Sequence, residues 1–202
     1  YPVEQVATPE GYARNPELVI NFYNERRKQL LEVRPNDGHL GLAELEADFN
    51  VTVVTQNIDN LHERAGSRRI IHLHGELTKV CSSRDPYNPH YIKELKPDEY
   101  EVKFGDKAGD GTQLRPFIVW FGEPVPEIET AVNYVEKADI FVIIGTSMNV
   151  YPAAGLLNYV PREAEVYLID PKPVDVHSMR RIHVIQKGAS EGVRELRSLL
   201  QS

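Results

Sequence analysis

Two amides and a carboxylate, in Thr55-Gln56-Asn57-Ile58-Asp59, stand directly behind the apolar stretch 51–55. Two other sites repeat that relation: Gly145-Thr146-Ser147 follows the apolar run 138–144, and Asp170 closes the run 165–169. In an open parallel sheet, residues beyond the carboxyl ends of the strands are the ones that meet ligands. Gly145 permits close backbone approach to a phosphate, the hydroxyls of Thr146 and Ser147 can donate to it, and Asp170 can accept from a ribose diol. Each run alone is a common turn; together they suggest a nucleotide. A base is available as well. His72-Leu73-His74-Gly75 follows Ile70-Ile71, which sets both imidazoles on one side of an extended segment. A histidine at a strand end beside a glycine can act as general base near neutral pH. His74 is the candidate, and His72 reads as an ordinary structural histidine.

Apolar periodicity supplies the elements that must position these residues. The segments 138–144, 165–170 and 182–185 are short, nearly continuous apolar runs, the pattern of a parallel sheet covered on both faces. A helix from Pro126 is expected to bury Ile128, Ala131, Val132 and Val135. A last helix, with Ser190 as N-cap, is expected to bury Val193, Leu196, Leu199 and Leu200. Upstream, Asn15-Pro16 reads as an N-cap and first helical position, His39 to Phe49 as a second helix, and Val51 to Thr55 as a strand. Ser82 to Gln113, rich in Asp, Lys, Pro and Gly, reads as a loop-rich excursion from the sheet. The expected fold class is therefore α/β, a parallel sheet with helices on both faces and a small loop-rich module.

Composition narrows the field. The 202 residues, 41% hydrophobic and 26% charged, fit one globular domain with or without a small satellite, not a disordered or collagen-like chain. A net charge of −7 disfavours nucleic acid and anionic membrane surfaces as partners. The apolar run Ile140–Ile144 is far too short to span a bilayer. A single cysteine, Cys81, excludes an internal disulfide and a four-cysteine zinc site. Such a composition is that of a cytoplasmic protein.

Taken in order, Thr55-Gln56-Asn57-Ile58-Asp59-Asn60-Leu61-His62, Leu73-His74-Gly75, Phe121-Gly122-Glu123-Pro124, Gly145-Thr146-Ser147 and Val150-Tyr151-Pro152-Ala153 resemble the motif series of the sirtuins, over nearly the whole chain. The resemblance implies a single catalytic domain with a Rossmann-like large part, mainly 36–75 and 114–202, and a small module, mainly 9–35 and 76–113. It implies an NAD-dependent enzyme that removes acyl groups from protein lysines and yields nicotinamide and 2′-O-acyl-ADP-ribose. His74 then matches the catalytic base on the ribose hydroxyls. Gln56 and Asn57 match residues that hold the nicotinamide ribose and a water, and Asp59 one that holds the carboxamide. Gly145, Thr146 and Ser147 match the dinucleotide cradle. Asp170 stands where the family usually has an asparagine on the adenosine ribose, and Gly188 and Ala189 resemble the loop under the adenine. Phe121, Gly122 and Glu123 on one side, and Val150 and Tyr151 on the other, resemble the edges between which an acyl-lysine peptide adds as a strand.

The chain departs from the family in two places. Cys81 stands alone where the family carries two cysteine pairs, so no structural zinc is expected and the small module must hold by packing. The family's Gly-Ala-Gly-Ile-Ser loop precedes the region matched by Tyr1-Pro2-Val3-Glu4, and the expectation is that the whole protein carries it. Without it, a non-catalytic nucleotide or acyl-lysine binding module would be the rival reading.

The acyl group itself is addressed by the helix after Asn15. Val19, Phe22, Tyr23, Arg26 and Leu30 are spaced as one face, which places Arg26 within an apolar stripe and leaves Arg27 as an ordinary surface charge. Arg26 there must meet an anion, snorkel, or pair with an internal carboxylate. Tyr23-Asn24-Glu25-Arg26 resembles the Tyr-x-x-Arg signature of class III sirtuins, whose tyrosine and arginine bind succinyl or malonyl carboxylates. A plain deacetylase is the alternative.

Overall fold

The structure, a computed structural model, describes residues 1–145, 153–174 and 180–201. In chain order its elements are α1 (Val3–Val6), α2 (Pro9–Arg14), α3 (Pro16–Leu30), α4 (Asp37–Glu44), β1 (Val53–Thr55), α5 (Leu61–Ala65), β2 (Ile70–His72), β3 (Gly75–Ser82), β4 (Lys93–Glu94), β5 (Leu114–Ile118), α6 (Ile128–Val135), β6 (Ile140–Ile144), α7 (Ala153–Leu156), β7 (Glu165–Ile169), β8 (Ile182–Ile185) and α8 (Ala189–Gln201). β1 and β2 pair as a two-stranded sheet. The chain divides into two compact units. The first comprises Tyr1–Arg34, Thr55–Asn60 and His72–Pro126; the second comprises Pro35–Val54, Leu61–Ile71 and Glu127–Ser202.

The second unit follows its apolar pattern. β6, β7 and β8 form a parallel sheet in that order, with Ile140 opposite Glu165 and Val166 opposite Ile182. Ile169 and Ile185 pack with Leu45 from beyond α4 and with Val193 and Leu196 from α8. α4 starts two residues before His39 because Asn36 caps it. The Asn36 side chain accepts from His39 N, and Asn36 N donates to His39 Nδ1, each at 3.0 Å. α8 likewise starts one residue before Ser190: Gly192 N donates to Gly188 O at 2.8 Å, so Ser190 lies within the first turn and is not the cap. Leu199, expected inside, lies on the flank of the Val193–Leu196–Leu200 stripe and is 48% exposed. On α6, Ala131 and Val135 are buried, and Ile128 and Val132 half-buried.

The first unit holds an antiparallel sheet, β4-β3-β5, that apolar periodicity does not announce. Val80 lies opposite Lys93 on one side and Pro116 on the other, and Cys81 lies opposite Arg115. The register shifts between Gly75 and Val80, and polar Glu76, Thr78 and Lys79 interrupt the strand. That pairing draws 114–118 into this unit; residues 55–60, 72–75 and 114–126, assigned from the sequence to the larger part, all fall here. Ile20, Val80 and Val102 form its apolar centre, flanked by Tyr12, Leu95 and Leu114.

α3 packs in a different phase from the one expected. Asn15 Oδ1 accepts from Leu18 N at 3.2 Å and Pro16 opens the helix, as read. The buried face, however, is Val19, Ile20, Tyr23, Asn24, Arg27 and Leu30. Arg26 falls about 20° outside Val19 on the helical wheel, and it is exposed, its guanidinium 5.2 Å from the centroid of the Phe22 ring. Arg27, not Arg26, is the buried cation, at 4% exposure. Its Nε donates to Leu77 O at 2.7 Å, and its Nη1 donates to Asn24 Oδ1 and Tyr100 O. Asn24 completes the clamp by bonding both N and O of Val102. Hydrogen bonds from the guanidinium to two backbone carbonyls and to Asn24 make this burial tolerable.

Candidate active site

In the first unit the loop after β1 is laced to the segment that carries His74. Leu73 N donates to Thr55 O at 3.0 Å and Leu77 N to Ile58 O at 2.8 Å, so His74 sits between two ties to the loop that holds Gln56, Asn57 and Asp59. Thr55 Oγ1 accepts from Asn57 N at 3.0 Å, and the His72 ring bonds Asn57 O at 3.1 Å. His72 therefore has the structural role read for it. Asn57 is exposed, Gln56 and Asp59 are half-buried, and Asn60 Oδ1 is buried with no hydrogen-bond partner among the described residues.

His74 is half-buried, and that burial pushes its pKa below the ordinary histidine value. The imidazole is thus neutral at pH 7, the form a general base needs. Gly75 shows why glycine must follow. Its φ is +86°, and a Cβ there would stand 2.1 Å from Phe117 O.

The stretch Trp120–Glu123 forms a turn closed by Glu123 N to Trp120 O at 3.0 Å, with Gly122 at φ +91°. Phe121 is 69% exposed at its tip, and Phe121 N donates to Ala7 O. Glu123 turns inward instead: its carboxylate takes both ends of the Arg115 fork at 3.0 Å and also accepts from Trp120 N. Trp120 Nε1 donates to Tyr23 OH at 3.1 Å, and Tyr23 OH donates to Val6 O at 2.8 Å. Burial raises the Tyr23 phenol, an effect that Arg115, Arg26 and Arg27 oppose by their charge. Arg115 and Trp120 escape the motif reading. The available signal was a lone cation inside the apolar strand Leu114–Ile118, with no carboxylate in that strand to meet it.

In the second unit Gly145 and Asp170 stand at the carboxyl ends of neighbouring parallel strands, with Gly145 N on Ile169 O and Asp170 N on Ile185 O. Gly145 has φ +61°, is exposed, and a Cβ there would meet nothing within 4 Å among the described residues. Asp170 Oδ1 accepts from Lys172 N at 2.8 Å. Gly188 and Ala189 are exposed at the start of α8. This donor and acceptor set fits a nucleotide. Thr146, Ser147, Val150 and Tyr151 lie outside the described residues.

The residues at the family's zinc position do not fit a metal. Cys81 has no accessible surface, and burial pushes its thiol up to about 12. Ser82 Oγ donates to Asp110 and receives Arg84 N and Asp85 N, while Thr112 Oγ1 donates to the same carboxylate at 2.6 Å. Ser83 Oγ donates to Gln113 O and bonds Tyr12 OH. Hydroxyls committed to such a knot are not free to bind zinc.

A parallel sheet whose strand ends carry a glycine and an aspartate defines an α/β protein of Rossmann-like type. The model of the Sir2 family matches residues 1–152. A relative named NAD-dependent protein deacylase from Bacteroides thetaiotaomicron is 84% identical over 99% of this chain and 86% of its own length. A mutant Sir2 homologue in complex with ADP-ribose superposes with TM-score 0.82 at 34% identity, covering 100% of this chain and 82% of that one. A Sir2–p53 peptide–NAD complex superposes with TM-score 0.74 at 26% identity, covering 95% of this chain and 81% of the other. The chain belongs to the Sir2 family.

Proposed function

We propose that this chain carries out NAD-dependent removal of acyl groups from protein lysines, and that it favours succinyl and malonyl over acetyl. The deacylase names of its relatives and the peptide in the Sir2–p53 complex support the activity and the class of partner. When bound, NAD supplies the ribose carbon and hydroxyls that accept the acyl group, with nicotinamide as the leaving group. The chain does the rest. Gln56, Asn57 and Asp59 hold the nicotinamide end, and Gly145 with Thr146 and Ser147 holds the pyrophosphate. Asp170 accepts from the adenosine ribose beside Gly188 and Ala189. Neutral His74 takes a ribose hydroxyl proton onto an imidazole nitrogen, and the backbone of Phe121-Gly122 receives the peptide as a strand, for which the family resemblance implies Val150 and Tyr151 as the other edge.

One observation carries the acyl preference. Arg26 is an exposed guanidinium stacked on Phe22, one helical turn from Tyr23, and it pairs with no carboxylate among the described residues. Such a fork suits an anionic acyl end. Matched succinyl- and acetyl-lysine peptides test it: kcat/KM is higher for the succinyl peptide. Arg26→Met lowers desuccinylation at least about tenfold, the scale of one charge-assisted hydrogen bond, and spares deacetylation. Equal losses on both peptides would make Arg26 a structural residue. His74→Tyr abolishes turnover of both while circular dichroism stays that of the wild type; near-normal turnover would remove His74 from the mechanism.

A further inference from the structure

We infer that Arg115 is the positioning residue for the acyl-lysine peptide, fixing through Glu123 and Trp120 the turn whose Phe121-Gly122 backbone meets that peptide. The inference rests on the deacylase reading and deepens it. Arg115 is 4% exposed and cannot itself touch a substrate. Its Nη1 and Nη2 donate to the two oxygens of Glu123 at 3.0 Å each, Nη2 also donates to Ile118 O at 2.8 Å, and Nε donates to Pro116 O at 3.3 Å. The guanidinium carbon lies 3.9 Å from the centroid of the Trp120 ring. One planar group thereby ties both ends of the Trp120–Glu123 turn to β5.

The clamp has a direction. Glu123 Oε1 accepts from both Arg115 and Trp120 N, so the carboxylate closes the turn from inside and leaves Phe121 outside, 69% exposed. Burial works to raise the Glu123 carboxyl, yet the Arg115 guanidinium holds it below the usual carboxylate range. Trp120 passes the constraint on: its Nε1 donates to Tyr23 OH on α3, the helix that carries Arg26. Peptide edge and acyl-reading helix therefore share one anchor. A lysine at 115 would keep the charge and lose the fork and the flat stack.

Steady-state kinetics on the protein expressed from its complete reading frame test this. Arg115→Lys and Glu123→Gln each raise the KM of a succinyl-lysine peptide at least about tenfold, the loss of a charge-assisted hydrogen bond, and each leaves the KM of NAD within about twofold. Acetyl- and succinyl-lysine peptides suffer alike, unlike with Arg26→Met. The double variant is no worse than either single one, because both break the same clamp. Should the single variants fail to fold, Arg115→Met with Glu123→Leu replaces the ion pair by an apolar one and shows the same peptide defect. An unchanged peptide KM, or parallel rises for NAD and peptide, overturns the inference. If the wild type does not turn over, the deacylase reading falls, and calorimetric titration with the acyl-lysine peptide replaces KM. Binding weakened about tenfold in Arg115→Lys upholds the role of Arg115, and equal binding, or none by the wild type, overturns it.

Discussion

In the second unit the described side chains with no accessible surface are aliphatic: Ala131, Val166, Leu168, Ile169 and Leu196. In the first unit the buried residues include Asn24, Arg27, Ser82 and Arg115 as well as Leu73 and Val80. The contrast follows the backbone. β6, β7 and β8 satisfy one another's N–H and C=O groups over continuous ladders, so what remains to be buried is apolar. The long stretch from β3 to β5 holds only the short β4 and two single turns of 3-10 helix, and the carbonyls of Tyr100 within it and of Leu77, Pro116 and Ile118 in the flanking strands accept from two arginines. Where regular pairing is short and its register shifts, long polar side chains add to the backbone's own hydrogen bonds. Burial of apolar surface tolerates small shifts, whereas a guanidinium clamp fixes groups to tenths of an ångström, which is what a substrate edge requires.

Breaking the polar side of this comparison is expected to cost most. Arg27→Met strands Leu77 O and Tyr100 O and leaves Asn24 Oδ1 with Val102 N alone, and at roughly 1–3 kcal/mol per unmet group the loss is about 4 kcal/mol, read by urea denaturation. Hydrogen exchange assigns that loss to the first unit. A variant within about 1 kcal/mol of wild type would show the clamp to be dispensable. Leu196→Ala probes the apolar side and is expected to cost about 3 kcal/mol through lost contacts and a cavity. A smaller loss than for Arg27→Met keeps the ranking; the reverse order breaks it.

Titration sharpens the comparison by about one decade or less. Because burial depresses the His74 pKa, the neutral base persists to lower pH, and the acidic limb of kcat/KM is expected below the ordinary histidine value of about 6.5. A limb at or above that value would mean that His74 is solvated in the free enzyme. The smallest effect is expected from chelators. With Ser82, Asp110 and Thr112 bonded to one another, excess EDTA shifts Tm by less than about 1 °C, and metal analysis finds well under one zinc per chain. A stoichiometric, chelator-sensitive zinc would reverse that reading.

The same contrast decides what could be read before the structure. The parallel strands and the buried faces of α6 and α8 were legible because aliphatic period and burial coincide there. Leu199 lies one place off the buried face of α8, and the helix is capped two positions before Ser190, the usual spread of a helix boundary. His74 with its Gln56–Asp59 loop was legible from motif order, yet the reason for Gly75 lies in the approach of Phe117 O, a contact with no local trace. The first unit was largely opaque. β3 and β5 carry charges and a proline, and their pairing partners are far apart in the chain. On α3 the apolar spacing captures Arg26 with Phe22 and leaves Arg27 outside, the reverse of their burial. The partners of Arg27 at Leu77 and Tyr100 are backbone atoms, which no side-chain pattern announces.

Cys81 turns the first unit into its own reporter. The chain holds one thiol, it has no accessible surface, and burial pushes its pKa up to about 12. Almost no thiolate exists at neutral pH, so alkylating agents and mild oxidants have nothing to attack in the closed state. Labelling must wait until the strand pair β3–β5 parts, where Cys81 lies opposite Arg115. With a fast reagent in excess, the rate of modification becomes the opening rate of that sheet.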